Sequence, residues 1–278
     1  MRLHFPEQTR LAEQHGNAQL AIDVFERAKA MPATATCKEM AADGYHIAGP
    51  LFPHSDILVA YKECVPKIVK PLQPKEARRI RAFLAACGDV LNAHIVPCEL
   101  LWEDPATDTS CLVMPRLPSC LHELPPLSEA HARLLWEHMR PALEFVHARG
   151  FAHCGIKPRN ICVQVPGAFV PIDLGSTAAF GERTASTPAY VPHDVLRHVQ
   201  PERSSAALDW CMLGMTLGAK CCGTNAAMTV GAWSQRVTHS ELLAHLRAHL
   251  LGTRWDAYSL TSGVCEGLRE AHIVTAAT

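Results

Sequence analysis

The sequence predicts an α+β fold: a small antiparallel sheet with one helix, followed by a larger and mostly helical part. Three observations predict it. Residues 44 to 72 read as a three-stranded meander, turned at Pro53-His54-Ser55 and at Val65-Pro66. Residues 128 to 150 carry Leu135, Met139, Ala142 and Val146 at helical spacing, the mark of one buried face. Beyond that helix, residues 161 to 164 and 169 to 174 read as two strands joined by Pro166-Gly167, a hairpin signal.

The first 40 residues hold two helical patches, Glu7 to His15 and Ala18 to Ala30. Leu20, Val24 and Phe25 give the second an apolar face, and Pro32 ends it. This N-terminal helical extension has no chemical signature, so a capping or docking role is expected. The strands of the meander are placed at 44–52, 56–64 and 67–72. A helix follows over Pro74 to Cys87 (PKEARRIRAFLAAC), with Ile80, Phe83 and Leu84 at core spacing. Its one acid, Glu76, lies in the first turn, where the helix dipole favours it. Residues 94–101 and 110–115 read as strands four and five, the latter ending in Met114 and Pro115.

In the long helix, Ser128 can cap the start and Gly150 can end it. Pro141 lies inside and is expected to kink it, at a cost of about 3 kcal/mol. Asp209 to Gly214 open a further helix, and residues 219 to 238 show no period. A Leu-rich helix spans Glu241 to Leu251, where Glu241, His245 and His249 share a face. That face is read as solvated, because no further ligand cluster makes it a zinc site.

Composition excludes several classes. The 278 residues suit one two-lobed domain or two small ones. A net charge of −1 without a basic block gives no nucleic-acid surface. The N-terminus MRLHFPEQTR lacks the apolar stretch of a signal peptide. No apolar run approaches the ~18 residues needed to cross a bilayer. A soluble cytoplasmic protein without a membrane partner is therefore expected. The twelve cysteines are scattered, with no C-x-x-C, and read as small buried residues or free thiols.

Residues 153 to 160, His-Cys-Gly-Ile-Lys-Pro-Arg-Asn, resemble the H-R-D-L-x-x-x-N catalytic loop of the protein kinases. His153, Lys157 and Asn160 hold the family's spacing. Gly155 stands in the place of the catalytic Asp, and Cys154 in the place of the Arg. Further matches follow in order. Asp173-Leu174-Gly175 resembles D-F-G, and Ser186 to Asp194 resembles the segment that closes in A-P-E. Asp209 to Gly214 resembles the D-x-W-x-x-G stretch under the catalytic loop, and Arg254 the late Arg that pairs with the A-P-E acid, here Asp194.

The resemblance implies a two-lobed protein kinase-like fold: a small lobe over 41–116 and a large lobe over 117–278, abbreviated after 218. It also implies ATP and Mg²⁺ as cofactors. Asn160 and Asp173 would hold the metal, and Lys157 would neutralise phosphate. The small-lobe Lys has two candidates. Lys62 ends Val59-Ala60-Tyr61-Lys62, the closer match to V-A-I-K, while Lys70 fits better by strand order and is favoured. Glu76 is its candidate partner. Met114 would take the gatekeeper place, with Pro115 and Leu117 offering a C=O and an N–H to adenine. The phosphate-covering glycine loop is weak: residues 48 to 53 hold one Gly and two prolines, which lack an N–H.

Loss of a positioned base typically costs about 10²–10⁴-fold. The expected function is thus a pseudokinase that binds ATP with impaired or absent phosphotransfer, a binding or allosteric module for an unidentified protein partner or substrate. Two alternatives stand beside it: an active Ser/Thr protein kinase, a transferase with a non-standard loop, and a nucleotide-free scaffold in which Asn160 and Asp173 merely cap turns.

Overall fold

In a computed structural model, the described residues are 40–52, 55–88, 95–98, 100–104, 109–164, 167–183, 187, 190 and 203–221. The N-terminal extension, the Asp194–Arg254 pair and the helix of His245 and His249 lie outside them. The chain forms two compact units. One comprises residues up to Arg81 with Val96–Pro118, the other Ala82–Ile95 with the residues from Ser119 onward.

The first unit is built on a five-stranded antiparallel sheet in the order β1-β2-β3-β5-β4. The strands are β1 (His46–Pro50), β2 (Leu58–Lys62), β3 (Val65–Leu72), β4 (Leu100–Asp104) and β5 (Thr109–Pro115). Met40, Tyr45, Ile47, Ala60, Val69, Cys111 and Val113 pack one core cluster, with Leu58 against it. Register shifts between Ile47 and Gly49, so β1 carries a bulge at Ala48.

Two expectations are corrected here. The β2–β3 turn is Glu63-Cys64, not Val65-Pro66: Lys62 pairs with Val65, and both turn residues are left-handed (φ 51° and 63°). A two-residue hairpin of type I′ needs positive φ at both centres, and the ladder imposes it although neither residue is Gly or Asn. Strand four begins at Leu100 rather than at residue 94. Pro97 cannot donate to a ladder, so Ile95 and Val96 are buried without joining the sheet.

The helix α1 (Pro74–Cys87) has the expected bounds. Pro74 at its start loses only an N–H that the first turn leaves unused. Ile80 and Phe83 are buried and Leu84 half-buried. The ring of Phe83 meets that of Phe151 edge-on, at 5.5 Å.

The second unit centres on two helices, α2 (Glu129–His147) and α3 (Ala206–Cys221). Ser128 caps α2 by accepting from His131 N, and Gly150 leaves the helix region at φ 76°. α2 runs through Pro141. Met139, Ala142, Leu143 and Val146 are buried on its face, and that packing holds the helix across a missing hydrogen bond. α3 extends to Cys221, three residues into the stretch expected to be aperiodic. Residues 207 to 219 are all buried, and Trp210 packs on Trp136 of α2 at 5.7 Å.

Three small strands complete a second sheet in the order β6-β8-β9: β6 (Ser119–Cys120), β8 (Ile161–Gln164) and β9 (Ala168–Pro171). The strands β7 (Phe151–Ala152) and β10 (Ala178–Ala179) form a separate pair. The reading of all cysteines as buried residues or free thiols is corrected at one place: Cys120 and Cys162 are joined as a disulfide. β6 sets Cys120 directly opposite Cys162 of β8, a register the sequence does not display. No helix among the described residues is long and apolar enough to cross a membrane.

Candidate functional site

The site is assembled by one buried carboxylate. Asp209 lies in the first turn of α3, fully buried. Its Oδ2 accepts from His153 N at 2.7 Å, and its Oδ1 accepts from Cys154 N at 2.7 Å. His147 Nε2, at the end of α2, is 2.9 Å from the same Oδ2. One acid thus joins both helices to the loop that begins at His153. Hydrogen bonds to a buried charge are worth about 1.5–3 kcal/mol each, enough to hold Cys154 at φ 58°, where a non-glycine residue is strained.

His153 is fully buried. Its Nε2 donates to the carbonyl of Ile172 at 3.0 Å, so its Nδ1 carries the lone pair. That Nδ1 has no hydrogen-bond partner. Burial pushes the His153 pKa below the usual imidazole range, against the opposing pull of Asp209 and Asp173 and the bond to Ile172. The ring is therefore neutral at physiological pH.

Gly155 is buried and its φ lies outside the left-handed region. A Cβ there would meet Asn160 Nδ2 at 3.3 Å and His153 Nδ1 at 3.4 Å. An L-residue fits this backbone if its neighbours give by a few tenths of an ångström.

Beyond Gly155, the turn Pro158–Asn160 leads into β8. Asn160 Nδ2 donates to Gly155 O at 2.9 Å and lies 3.5 Å from Asp173 Oδ2. The β8–β9 hairpin returns the chain, and Ile172 N donates to Asn160 O at 2.8 Å. Asp173 then sits at φ 65°, left-handed, with Oδ1 accepting from Gly175 N at 3.4 Å. The structure therefore brings Asn160 and Asp173 together. The contact runs through the Asn160 amide nitrogen, and each residue also carries an oxygen of the type that suits Mg²⁺. Both side chains also hold local turns, the role left to them in the nucleotide-free scaffold. Lys157 Nζ donates to Thr187 Oγ1 at 3.4 Å. Thr187 was not singled out as a site residue, although it lies within the A-P-E-like segment.

In the first unit, Lys70 Nζ lies 3.6 Å from Glu76 Oε1. Glu76 Oε2 also accepts from Gln73 N at 3.0 Å, so this acid both pairs with Lys70 and caps α1. Lys62 Nζ instead lies over the Tyr45 ring, 4.5 Å from its centroid. Met114 is buried beside Ile68 of β3, as core filling would also place it. Pro115 and Leu117 are half-buried at the end of β5 and just beyond.

The sequence matches the protein kinase domain over residues 54–272. The chain belongs to the protein kinase family. This kinase domain is 34% identical over 106 residues to CBL-interacting protein kinase 16 of Oryza sativa subsp. japonica, covering 35% of this chain and 23% of that protein. It is 26% identical over 163 residues to serine/threonine-protein kinase dkf-1 of Caenorhabditis elegans, covering 53% of this chain and 22% of the relative. The chain thus spans about a quarter or less of these relatives' length. The kinase PK-1 of Cydia pomonella granulovirus has a similar fold, with a TM-score of 0.57 at 15% identity over 75% of this chain and 82% of that one. The two-lobed α+β fold is therefore that of a protein kinase. Within it, Gly155 and Cys154 mark where this kinase domain departs from the family's catalytic loop.

Proposed function

We propose that this kinase domain is a nucleotide-binding pseudokinase, a cytoplasmic binding or allosteric module for a protein partner, with phosphotransfer near background. The observation that carries the reading is Gly155. The loop around it is held by Asp209, Asn160 and His153, yet position 155 offers no side chain to accept a hydroxyl proton. Nucleotide binding is supported residue by residue. Lys70 is paired with Glu76, and Asn160 and Asp173 lie close enough to share a cation. Mg²⁺ held there would offset phosphate charge. Lys157 is placed to do the same and to hold Thr187.

A thermal-shift titration with ATP, with and without Mg²⁺, tests the binding. A ligand at about 100 times its Kd stabilises by about 2.7 kcal/mol, a readily measured shift. No shift at millimolar ATP would leave the scaffold reading.

One observation favours a second reading, an active Ser/Thr kinase. The lone pair of the neutral His153 Nδ1 lies 3.4 Å from where a side chain at 155 would begin. It is a lone pair beside the place where the Asp is missing, on a ring that burial makes a weaker base than a free imidazole. Robust peptide phosphorylation by the unmodified protein, abolished by Asp173→Ala, would establish this second reading in place of the first.

A further inference from the structure

The β6–β8 edge of the second unit carries a group of side chains that nucleotide binding does not use. Cys120 and Cys162 face each other across the two strands. The chain leaves β6 in a single turn, Leu121–Glu123, which presents His122 and Glu123. One ligand atom each of Cys120, His122 and Glu123 lies within 4.8 Å of the others. Both His122 and Glu123 are exposed, whereas Cys162 is buried. The Glu123 carboxylate is not loose: its Oε2 accepts from Cys120 N at 2.8 Å, which folds it back over the cysteine.

We propose that Cys120, Cys162, His122 and Glu123 form a zinc site when the two cysteines are reduced. Two thiolates, an imidazole and a carboxylate give the four ligands of a tetrahedral site. The same set is poorly matched to Mg²⁺ or Ca²⁺, which take oxygen ligands. Three of the four ligands come from a four-residue stretch, and the strand ladder fixes the fourth opposite them. Little chain ordering is therefore left for the metal to offset. A reducing cytosol would keep the cysteines as thiols.

The metal and the disulfide exclude each other. A small-molecule disulfide that oxidises the pair takes two electrons and is reduced to two thiolates, which take up the protons the cysteines release or, where zinc was bound, protons from solvent. The Cys120–Cys162 bond forms, and the two protein sulfurs lose their protons, or their metal, in the exchange. Zinc is then released to solvent. Cys162 lies two residues past Asn160, so the exchange changes what anchors the strand that directly follows the candidate metal-binding Asn.

The test uses the full chain, reduced with a phosphine, with Co²⁺ as the spectroscopic probe and no nucleotide present. The expected result is uptake of one equivalent with a thiolate-to-cobalt charge-transfer band, displaced by Zn²⁺. Cys120→Ser and Cys162→Ser each abolish the band. His122→Ala and Glu123→Gln keep the thiolate band and weaken binding by at least the roughly 10–100-fold that loss of an outer-shell partner costs. Oxidised protein shows no band until a dithiol is added. Should a serine variant fail to fold, alkylation mapping of the parent decides: Zn²⁺ must protect Cys120 and Cys162 while the exposed Cys64 still labels. An unchanged band in the Cys120→Ser/Cys162→Ser double variant, unprotected labelling, or no stoichiometric uptake overturns the proposal. Because nucleotide is absent throughout, such a failure leaves the pseudokinase reading intact.

Discussion

At the scale of single residues, two positions decide what the loop can do. Gly155 lacks the carboxylate, but its backbone accepts one, since φ there is not left-handed. Gly155→Asp is expected to raise peptide phosphorylation by up to about 10²–10⁴-fold. The neighbour that must yield is Asn160 Nδ2, at 3.3 Å, so some of the gain is offset by a displaced Asn160. No gain in kcat in a folded variant would show that the base was not the missing part. His153 makes a pH prediction. Burial lowers its pKa in the folded chain, so the unfolded chain takes up the proton first as pH falls. Its contribution to stability is complete above the ordinary imidazole range and declines below it, by at most about 1.4 kcal/mol per pH unit. Melting temperatures from about pH 8 to about pH 5 should fall less steeply for His153→Gln than for the parent. Motif spacing made Gly155, Asn160 and Asp173 legible in the sequence. It could not show the unpartnered Nδ1, because that depends on which carbonyl the other ring nitrogen meets.

At the scale of elements, α3 acts through its first turn. Asp209→Ala removes the acceptor of two loop N–H groups and the partner of His147. The expected loss is about 3–5 kcal/mol, read by chemical denaturation. A change under about 1 kcal/mol would mean that the loop is held by other contacts. Asp209 was recognisable as the start of a buried helix, yet its bonds to the loop are long-range and leave no local pattern. Helix α1 was legible to the residue because Pro74 and its apolar spacing mark both ends. Strand β4 starts later than residue spacing predicts: Ile95 and Val96 have strand-like side chains, but Pro97 just after them has no N–H for a ladder. Lys70 stands 3.6 Å from Glu76, whereas Lys62 lies over the Tyr45 ring. Lys70→Met is expected to abolish most of the ATP-dependent thermal shift, and Lys62→Met to leave it largely unchanged. The reverse outcome would move the role to β2.

At the scale of the whole molecule, the order of strands followed by helices was enough to read an α+β fold. The ordered motifs from Lys70 to Arg254 were enough to read the family. Cross-strand register was not readable, because neither the alternation of residues nor their spacing says which residues of two distant short strands will face each other. That is why Cys120 and Cys162 went unpaired until the β6–β8 ladder was seen.

The anchoring of two successive backbone amides on Asp209 has a kinetic consequence. His153 N–H and Cys154 N–H are both buried, and both end on one fully buried carboxylate. Deuterium reaches such protons only when α3 and the loop separate, a sub-global opening rather than local fraying. These two amides should therefore exchange among the slowest in the second unit, and slower still when nucleotide is bound. The loop would already be in its working shape before any ligand arrives.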